Sequence, residues 1–485
     1  MISFAISLVA LLLGYFAYGK FVERVFAPDA SRPTPAVSMA DGVDYIPMPA
    51  WKIFMIQFLN IAGTGPIFGA IMGAKFGPAA YLWIVFGCIF AGAVHDYLSG
   101  MLSVRHGGAS LPELVGHYLG RRTRAVMLCF SVLLLLMVGV VFVYSPAEIL
   151  SRMGGTEMLW IVVIFVYYIM ATMLPIDKII GRVYPLFAFA LLFMAAALMV
   201  MLFVKMPQLP ELWDGLGNWG AERLGLKDSI FPCLFITIAC GAISGFHGTQ
   251  SPLMARCITN ERQGRAIFYG AMIAEGVVAL IWATVAMYFF YNEPQPGYET
   301  LQGVTAGVAS SSPAIVTIIC QNWLGLLGSV LALLGVVAAP ITSGDTALRS
   351  ARLIIAEALH IDQKSICKRF CIALPMFGVV ILLLLWHTGN ADGFQTLWNW
   401  FGWSNQTLAV FTLWMVTVYL AIARKPYIIT LIPALFMTVV CTTFLLVSNQ
   451  AFGLDSSVAY IGGLLVLVGA TAWFFLWKRR YYNNQ

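Results

Sequence analysis

Apolar residues fill most of this chain in blocks of about twenty, and charged residues gather in the short gaps between them. A helix needs roughly 17–25 apolar residues to cross a bilayer. Thirteen stretches meet that length, at 2–19, 53–74, 78–104, 124–147, 158–175, 184–204, 230–255, 265–290, 322–343, 370–387, 396–421, 427–447 and 458–477. Two of them carry an interruption. The first holds Asn60-Ile61-Ala62-Gly63-Thr64-Gly65-Pro66-Ile67. Within a helix glycine costs about 1 kcal/mol against alanine and proline about 3. Proline also removes an amide donor and frees a carbonyl one turn back. Such freed groups are tolerated at membrane depth only against protein or around a polar cavity. The second interruption is Ala242-Ile243-Ser244-Gly245-Phe246-His247-Gly248-Thr249-Gln250-Ser251-Pro252.

With the first span and the last two set aside, ten remain, and the two interrupted spans are the first and the sixth. Five spans per half place the halves in opposite orientation. Paired broken helices in inverted halves point to a transport site. The predicted fold is therefore an all-α polytopic membrane protein of about thirteen helices, in a five-plus-five inverted repeat. The first repeat covers 51–204 and the second 230–422. An N-terminal helix and loop occupy 1–50, and two extra helices occupy 423–485.

Composition agrees. Of 485 residues, 60% are hydrophobic and 10% charged, against about 25% charged in a soluble domain. Mean hydropathy is +0.85. The net charge of +6 does not call for a nucleic-acid partner, because its distribution explains it. Of 28 Lys and Arg, 23 fall in gaps on one face and only Lys75, Arg152, Lys205, Arg223 and Lys227 on the other. Basic residues mark cytoplasmic loops. The N-terminus is thus expected outside and the C-terminus in the cytosol. Basic residues Lys20 and Arg24 follow the first apolar run instead of preceding it, so that run reads as a retained helix and not a signal peptide. The longest outer segments are Lys205–Ser229 and Tyr291–Gln321. The nine cysteines form no zinc pattern and read as buried or cytosolic thiols. Trp398, Trp400 and Trp403 suit an interfacial belt.

Several runs resemble the carbon starvation protein A (CstA) family of membrane transporters. They are Arg32-Pro33-Thr34-Pro35-Ala36, Asp41-Gly42-Val43-Asp44-Tyr45-Ile46-Pro47, the IAGTGPI run, Ala91-Gly92-Ala93-Val94-His95-Asp96 and Gly108-Ala109-Ser110-Leu111. Further along come Phe231–Ala242 running into Ser244–His247, Asp345 with Arg349, and Phe401-Gly402-Trp403-Ser404-Asn405-Gln406. The resemblance covers nearly the whole chain. It implies a LeuT-type fold, a bacterial inner membrane, and cation-driven uptake of peptides or pyruvate under nutrient limitation. Family members usually carry Gln where this chain has His95 and often Ala where it has Ser343, which leaves substrate and ion open.

Ionisable and polar groups at membrane depth are functional candidates. Carbonyls near Ile61, Ala62 and Gly65 and half-helix amides around Gly63 and Thr64 would line the first break; amides attract a carboxylate and carbonyls attract Na⁺. Ser244, Gly245, Phe246 and His247 would supply the matching half, with His247 a donor to substrate or a proton carrier, or else a buried histidine bonded to backbone. Thr342 and Ser343 resemble the Ser/Thr pair that binds Na⁺ in LeuT-type symporters, at the end of the eighth of the ten helices. Asp345 beside them serves an ion or pairs with Arg349 one turn on. Glu275 is a proton site or a structural carboxylate, and the same two roles are open to His95 with Asp96. Asn405 and Gln406 flank the path or bond neighbouring helices. No cofactor is expected beyond a coupling Na⁺ or H⁺. The expected partners are a small solute and the bilayer. An intramembrane enzyme or sensor built on Ser244 and His247 is the competing reading, and no HExxH or GxSxG run supports it.

Overall fold

The computed structural model describes residues 1–42, 44–173, 176–291, 312–363, 365–388 and 393–483. Among them no strand occurs. The helical elements in chain order are α1 (Ile2–Phe26), α2 (Ala50–Ile61 and Gly65–Ala74), α3 (Ala79–Arg105) and α4 (Arg121–Met153). They continue with α5 (Glu157–Met173), α6 (Ile176–Lys205), α7 (Ile230–Thr237 and Gly245–Ala255) and α8 (Glu261–Tyr291). The last are α9 (Ser312–Ala358), α10 (Ile366–Thr388), α11 (Gly393–Ile422), α12 (Ile428–Val447) and α13 (Ser456–Asn483). Among the described residues nine helices are long and apolar enough to cross a membrane, and the bent pair of α2 would make a tenth. Of the predicted outer segment Tyr291–Gln321, residues 292–311 lie outside the described residues, as does Lys364.

Burial separates core helices from lipid-facing ones. α3 and α8 are enclosed on nearly all sides, as a helix apolar all round must be. α6 and α13 turn Leu186, Phe189, Phe193, Leu464, Leu465 and Val468 outward. α9 packs along α4 and α6, and α11 carries α12, which in turn carries α13. The second half of α7 lies between α3 and α11. Cys129, Cys367 and Cys371 are exposed, while Cys88, Cys240, Cys257, Cys320 and Cys441 are buried.

Both interruptions break their helices. α2 bends by 55° where residues 62–64 leave helical geometry. It restarts as a wide turn, Gly65–Gly69, with Pro66 in its first positions, where a missing amide costs nothing. The second gap lies a few residues before the predicted SGFH. Residues 238–244 are non-helical, with Gly241 at φ 93° and Ser244 extended, and Gly245-Phe246-His247 already open the second half of α7. Gly245 is needed for contact and not for bending: a Cβ there would overlap the α11 backbone at Asn405 and Ala409.

Two further boundaries differ from the apolar pattern. α1 continues past 19 to Phe26. α9 runs on to Ala358, so Thr342, Ser343 and Asp345 sit well inside a helix and do not end one. The apolar run stops at 343, but the helix continues past Asp345, Arg349 and Arg352, all three of them buried. Arg349 donates to the Ala171 carbonyl at 2.6 Å and Arg352 to the Gln363 side chain.

The two ends of the bundle differ in charge. One gathers Arg105 with Glu261 (3.0 Å), Arg265 with Glu23 (2.7 Å), and Lys425 on the Phe26 carbonyl. Two clefts of about 340 and 270 Å³ open there and share Tyr45, Arg256 and Glu357. The opposite end holds the Met1 ammonium on Glu211 and Arg223 stacked on Trp219.

Candidate functional site

The two gaps meet at the centre of the bundle. A Cβ on Gly65 would overlap Cys240 of the second gap, and one on Gly69 would come within 2.8 Å of the Thr237 carbonyl. Only glycine lets the two broken helices touch at these points. Gly63 faces the Phe142 ring of α4, 2.7 Å from where a Cβ would stand, with Ser343 Oγ at 3.2 Å. Phe142 also meets Phe246 and Phe401 edge-on, at 6.2 and 6.3 Å between centroids. Pro146 has no amide to bond the Phe142 carbonyl one turn back. The Tyr168 hydroxyl takes that carbonyl at 2.8 Å and reaches Pro340 of α9 at 3.0 Å.

Four titratable side chains form one buried chain across α3, α7 and α8. His95 Nδ1 lies 2.7 Å from one oxygen of Asp96, and His247 Nδ1 lies 2.9 Å from the other. His247 Nε2 then faces Glu275 at 3.3 Å. All four are fully buried. Both nitrogens of His247 therefore point at carboxylates of neighbouring helices. It bridges those helices, and the expected bond from its ring to a backbone carbonyl is not found.

Ser244 and Asn405 do something different. Asn405 Oδ1 accepts from Ser244 Oγ at 3.0 Å and from the Phe246 amide at 2.7 Å, so it caps the second half of α7. Gln406 Nε2 donates to the Phe235 carbonyl in the first half, at 2.9 Å. These amides hold α7 to α11. Ser244 is bonded to Asn405, so it lacks the histidine partner that a nucleophile needs.

On α9 the pair separates. Thr342 Oγ1 bonds back to Ala338 and Ala339 of its own helix, whereas Ser343 Oγ donates to the Leu59 carbonyl of α2 at 2.8 Å. Asp345 is buried, and Tyr184 of α6 donates to its Oδ2 at 2.6 Å. The other oxygen, Oδ1, has no hydrogen-bond partner, and neither have the buried polar atoms of Asn60 and Thr64 Oγ1. Buried polar atoms are nearly always bonded, so each of these needs an explanation such as water or an ion.

Sequence reasoning passed over Phe142, Tyr184 and Cys240. Phe142 and Tyr184 stand in ordinary apolar runs and are brought to the gaps only by packing. Cys240 lies within the Phe231–Ala242 run and reads there as one more buried thiol. Its place directly before Gly241 and the second interruption is the available signal.

The sequence profile of carbon starvation protein CstA matches residues 1–151, 143–322 and 300–444. The peptide transporter CstA of Escherichia coli K12 is 26% identical, covering 94% of this chain and 82% of that protein. The pyruvate/proton symporter BtsT of the same organism is also 26% identical, over 91% of this chain and 80% of its own. A membrane protein of Haemophilus influenzae Rd, described as uncharacterized, is 46% identical, over 60% of this chain and 92% of its own. Among solved structures, the Eremococcus coleocola manganese transporter aligns over 92% of this chain and 99% of its own, with TM-score 0.59 and 15% identity. MhsT in complex with L-phenylalanine aligns over 86% and 98%, with TM-score 0.55 and 11% identity. At those identities the likeness establishes the fold, an all-helical one shared with transporters of the LeuT type. The CstA and BtsT relatives and the manganese-transporter neighbour are named as transporters, so an enzyme role is not indicated. From its profile match and its relatives, this polytopic membrane protein belongs to the carbon starvation protein CstA family.

Proposed function

We propose that the protein imports a small carboxylate of about pyruvate's size together with a proton. The observation that carries this reading is the junction of two broken helices at one buried point, beside unsatisfied polar groups of Asn60 and Thr64. Amides at the start of each second half-helix carry the positive dipole end and suit a carboxylate there. The substrate lies against residues 62–65 and 244–246, with Phe142 as the wall. That wall stands close to Gly63, so the space favours a small acid over a peptide. The name of one relative, a pyruvate/proton symporter, agrees.

Conformational change follows from which bonds cross between helices. α2, α3, α7 and α8 move as one body: His95, Asp96, His247 and Glu275 tie α3, α7 and α8, and Gln57 Nε2 of α2 donates to Ser251 Oγ of α7 at 3.5 Å. The crossing bonds, Ser343 to Leu59 and Asn405 to Ser244 and Phe246, must break as that body rocks. Asp345 sits two residues from Ser343 and offers a bare oxygen for the proton. The clefts beside Arg256 and Tyr45 form the inner vestibule, at the end expected to face the cytosol of a bacterial inner membrane.

Reconstitution in liposomes tests this. Labelled pyruvate is expected to accumulate under an inward proton gradient and to equilibrate once a protonophore is added. Uptake that follows an imposed Na⁺ gradient instead would move the coupling to sodium at Ser343. Accumulation of dipeptides but not pyruvate would overturn the substrate. In Asp345→Asn, gradient-driven accumulation is expected to vanish while exchange of internal for external substrate persists. In Phe142→Ala the wall recedes. The KM for pyruvate is then expected to rise about tenfold and uptake of larger acids to improve.

A further inference from the structure

The gap in α7 brings together three side chains whose chemistry the transport reading does not use as a set. They are Cys240 in the gap, His247 in the first turn after it, and Glu275 of α8, with donor atoms all within 4.8 Å of one another. We infer that this triangle is a binding site for a divalent transition metal of the zinc class. The inference is independent of which solute is carried.

The donor set fits. Thiolate, imidazole and carboxylate are the ligands of Zn²⁺ sites, at about 2.3, 2.0–2.1 and 2.0–2.2 Å. Two such nitrogen and oxygen ligands on a tetrahedral ion stand about 3.3 Å apart. His247 Nε2 and Glu275 Oε2 already stand 3.3 Å apart. Cys240 Sγ lies within 4.8 Å of both, and turning about its Cα–Cβ bond has to close at most about 1.3 Å. The thiol is weakly held, with Ser244 Oγ at 3.5 Å and Asn405 Nδ2 at 3.9 Å.

A second, independent observation points into the triangle. His247 Nε2 and both oxygens of Glu275 are completely buried and lack a hydrogen bond of acceptable geometry. Meanwhile the other ring nitrogen, Nδ1, is held by Asp96. A carboxylate behind a histidine fixes the ring and leaves the far nitrogen to coordinate, the usual arrangement behind metal-bound histidines. Two anionic ligands would balance the charge of the ion. Three protein ligands leave a fourth position open to water or to a substrate carboxylate. Because the triangle is enclosed, the ion enters only when the two halves of α7 part. Once bound, it pins the gap to α8, so the expected consequence is arrest of transport.

Co²⁺ serves as the probe because its absorption reports its ligands. Purified protein in detergent is expected to bind one equivalent and to develop a near-ultraviolet thiolate-to-cobalt band, which Zn²⁺ removes. Cys240→Ser is expected to lose the band, and Cys441→Ser to keep it. Glu275→Gln should weaken Co²⁺ binding at least about tenfold, and Asp96→Asn by about 10–100-fold. In liposomes Zn²⁺ is expected to inhibit uptake by the natural protein, and half-inhibition of Cys240→Ser, measured against that variant's own uptake without metal, is expected to need at least tenfold more Zn²⁺. Bound Co²⁺ with no thiolate band, or a band that survives both Cys240→Ser and Cys240→Ala, would overturn the site. The absorption result stands whether or not any solute is transported, so the metal site and the transport reading fail separately.

Discussion

Asp96→Asn is expected to unfold at a clearly lower temperature and to reduce uptake to background. Asp96 is the single carboxylate that two histidines share, at 2.7 and 2.9 Å, in a region with no exposed surface. Asparagine has the same shape, but one of its oxygens becomes a donor. That donor must face a ring nitrogen which was donating, and the negative charge is gone. Removing one partner of a buried pair typically costs about 3–5 kcal/mol, because the remaining group is left uncompensated. Here the loss also frees α3 from α7, two members of the body that has to move as one. His95→Gln is the informative contrast. A glutamine amide still donates to Asp96, so the change is expected to cost less than about 1 kcal/mol and to leave uptake within a few-fold. Thermal unfolding of the purified proteins alongside liposome uptake checks both. Equal effects from the two substitutions would mean that Asp96 does not hold the helices together through its charge.

The same residues explain why some of this site was legible in the sequence and some was not. Breaks written in glycine and proline are local statements, and the positions of IAGTGPI and of the second glycine-rich run were readable because backbone propensity acts where the residue stands. The second break is offset from the Ser244–His247 run because Gly245 serves the α11 backbone lying against it and does not bend the chain. His95, Asp96, His247 and Glu275 were each visible as polar groups in apolar spans. Their union into one chain was not, because it depends on how α3, α7 and α8 pack. The end of α9 was misplaced because hydropathy treats a charge as a boundary, whereas Arg349 is buried and spends its charge on the Ala171 carbonyl. Phe142 had no signal at all: an apolar residue in an apolar helix becomes a wall only when Pro146 and Tyr168 fix the backbone beneath it.

A branched side chain at position 65 should be as damaging to transport as the loss of Asp96, through sterics alone. Gly65 opens the second half of α2, and the volume its Cβ would take is filled by Cys240 of the opposing gap. Neither backbone is free to retreat. The segment behind Gly65 is held through Gly69 on the Thr237 carbonyl, and the one behind Cys240 through Gly241, whose own Cβ would overlap Ala279 of α8. Forcing extra carbons into such a contact generally costs about 1–3 kcal/mol. In a two-state transporter that energy falls on the conformation in which the breaks meet, and it shifts the balance about 5- to 150-fold. Gly65→Ala is expected to sit near the lower end and Gly65→Val at or beyond the upper, with uptake falling in the same order. Gly378 of α10 and Gly469 of α13 have nothing within 4 Å of an added Cβ, so valine at either should leave uptake unchanged. Uptake rates of the four variants, normalised to protein in the membrane, separate contact from composition. If Gly65→Val transports as well as Gly469→Val, the two gaps do not have to touch during the cycle, and a pocket built from their junction loses its basis.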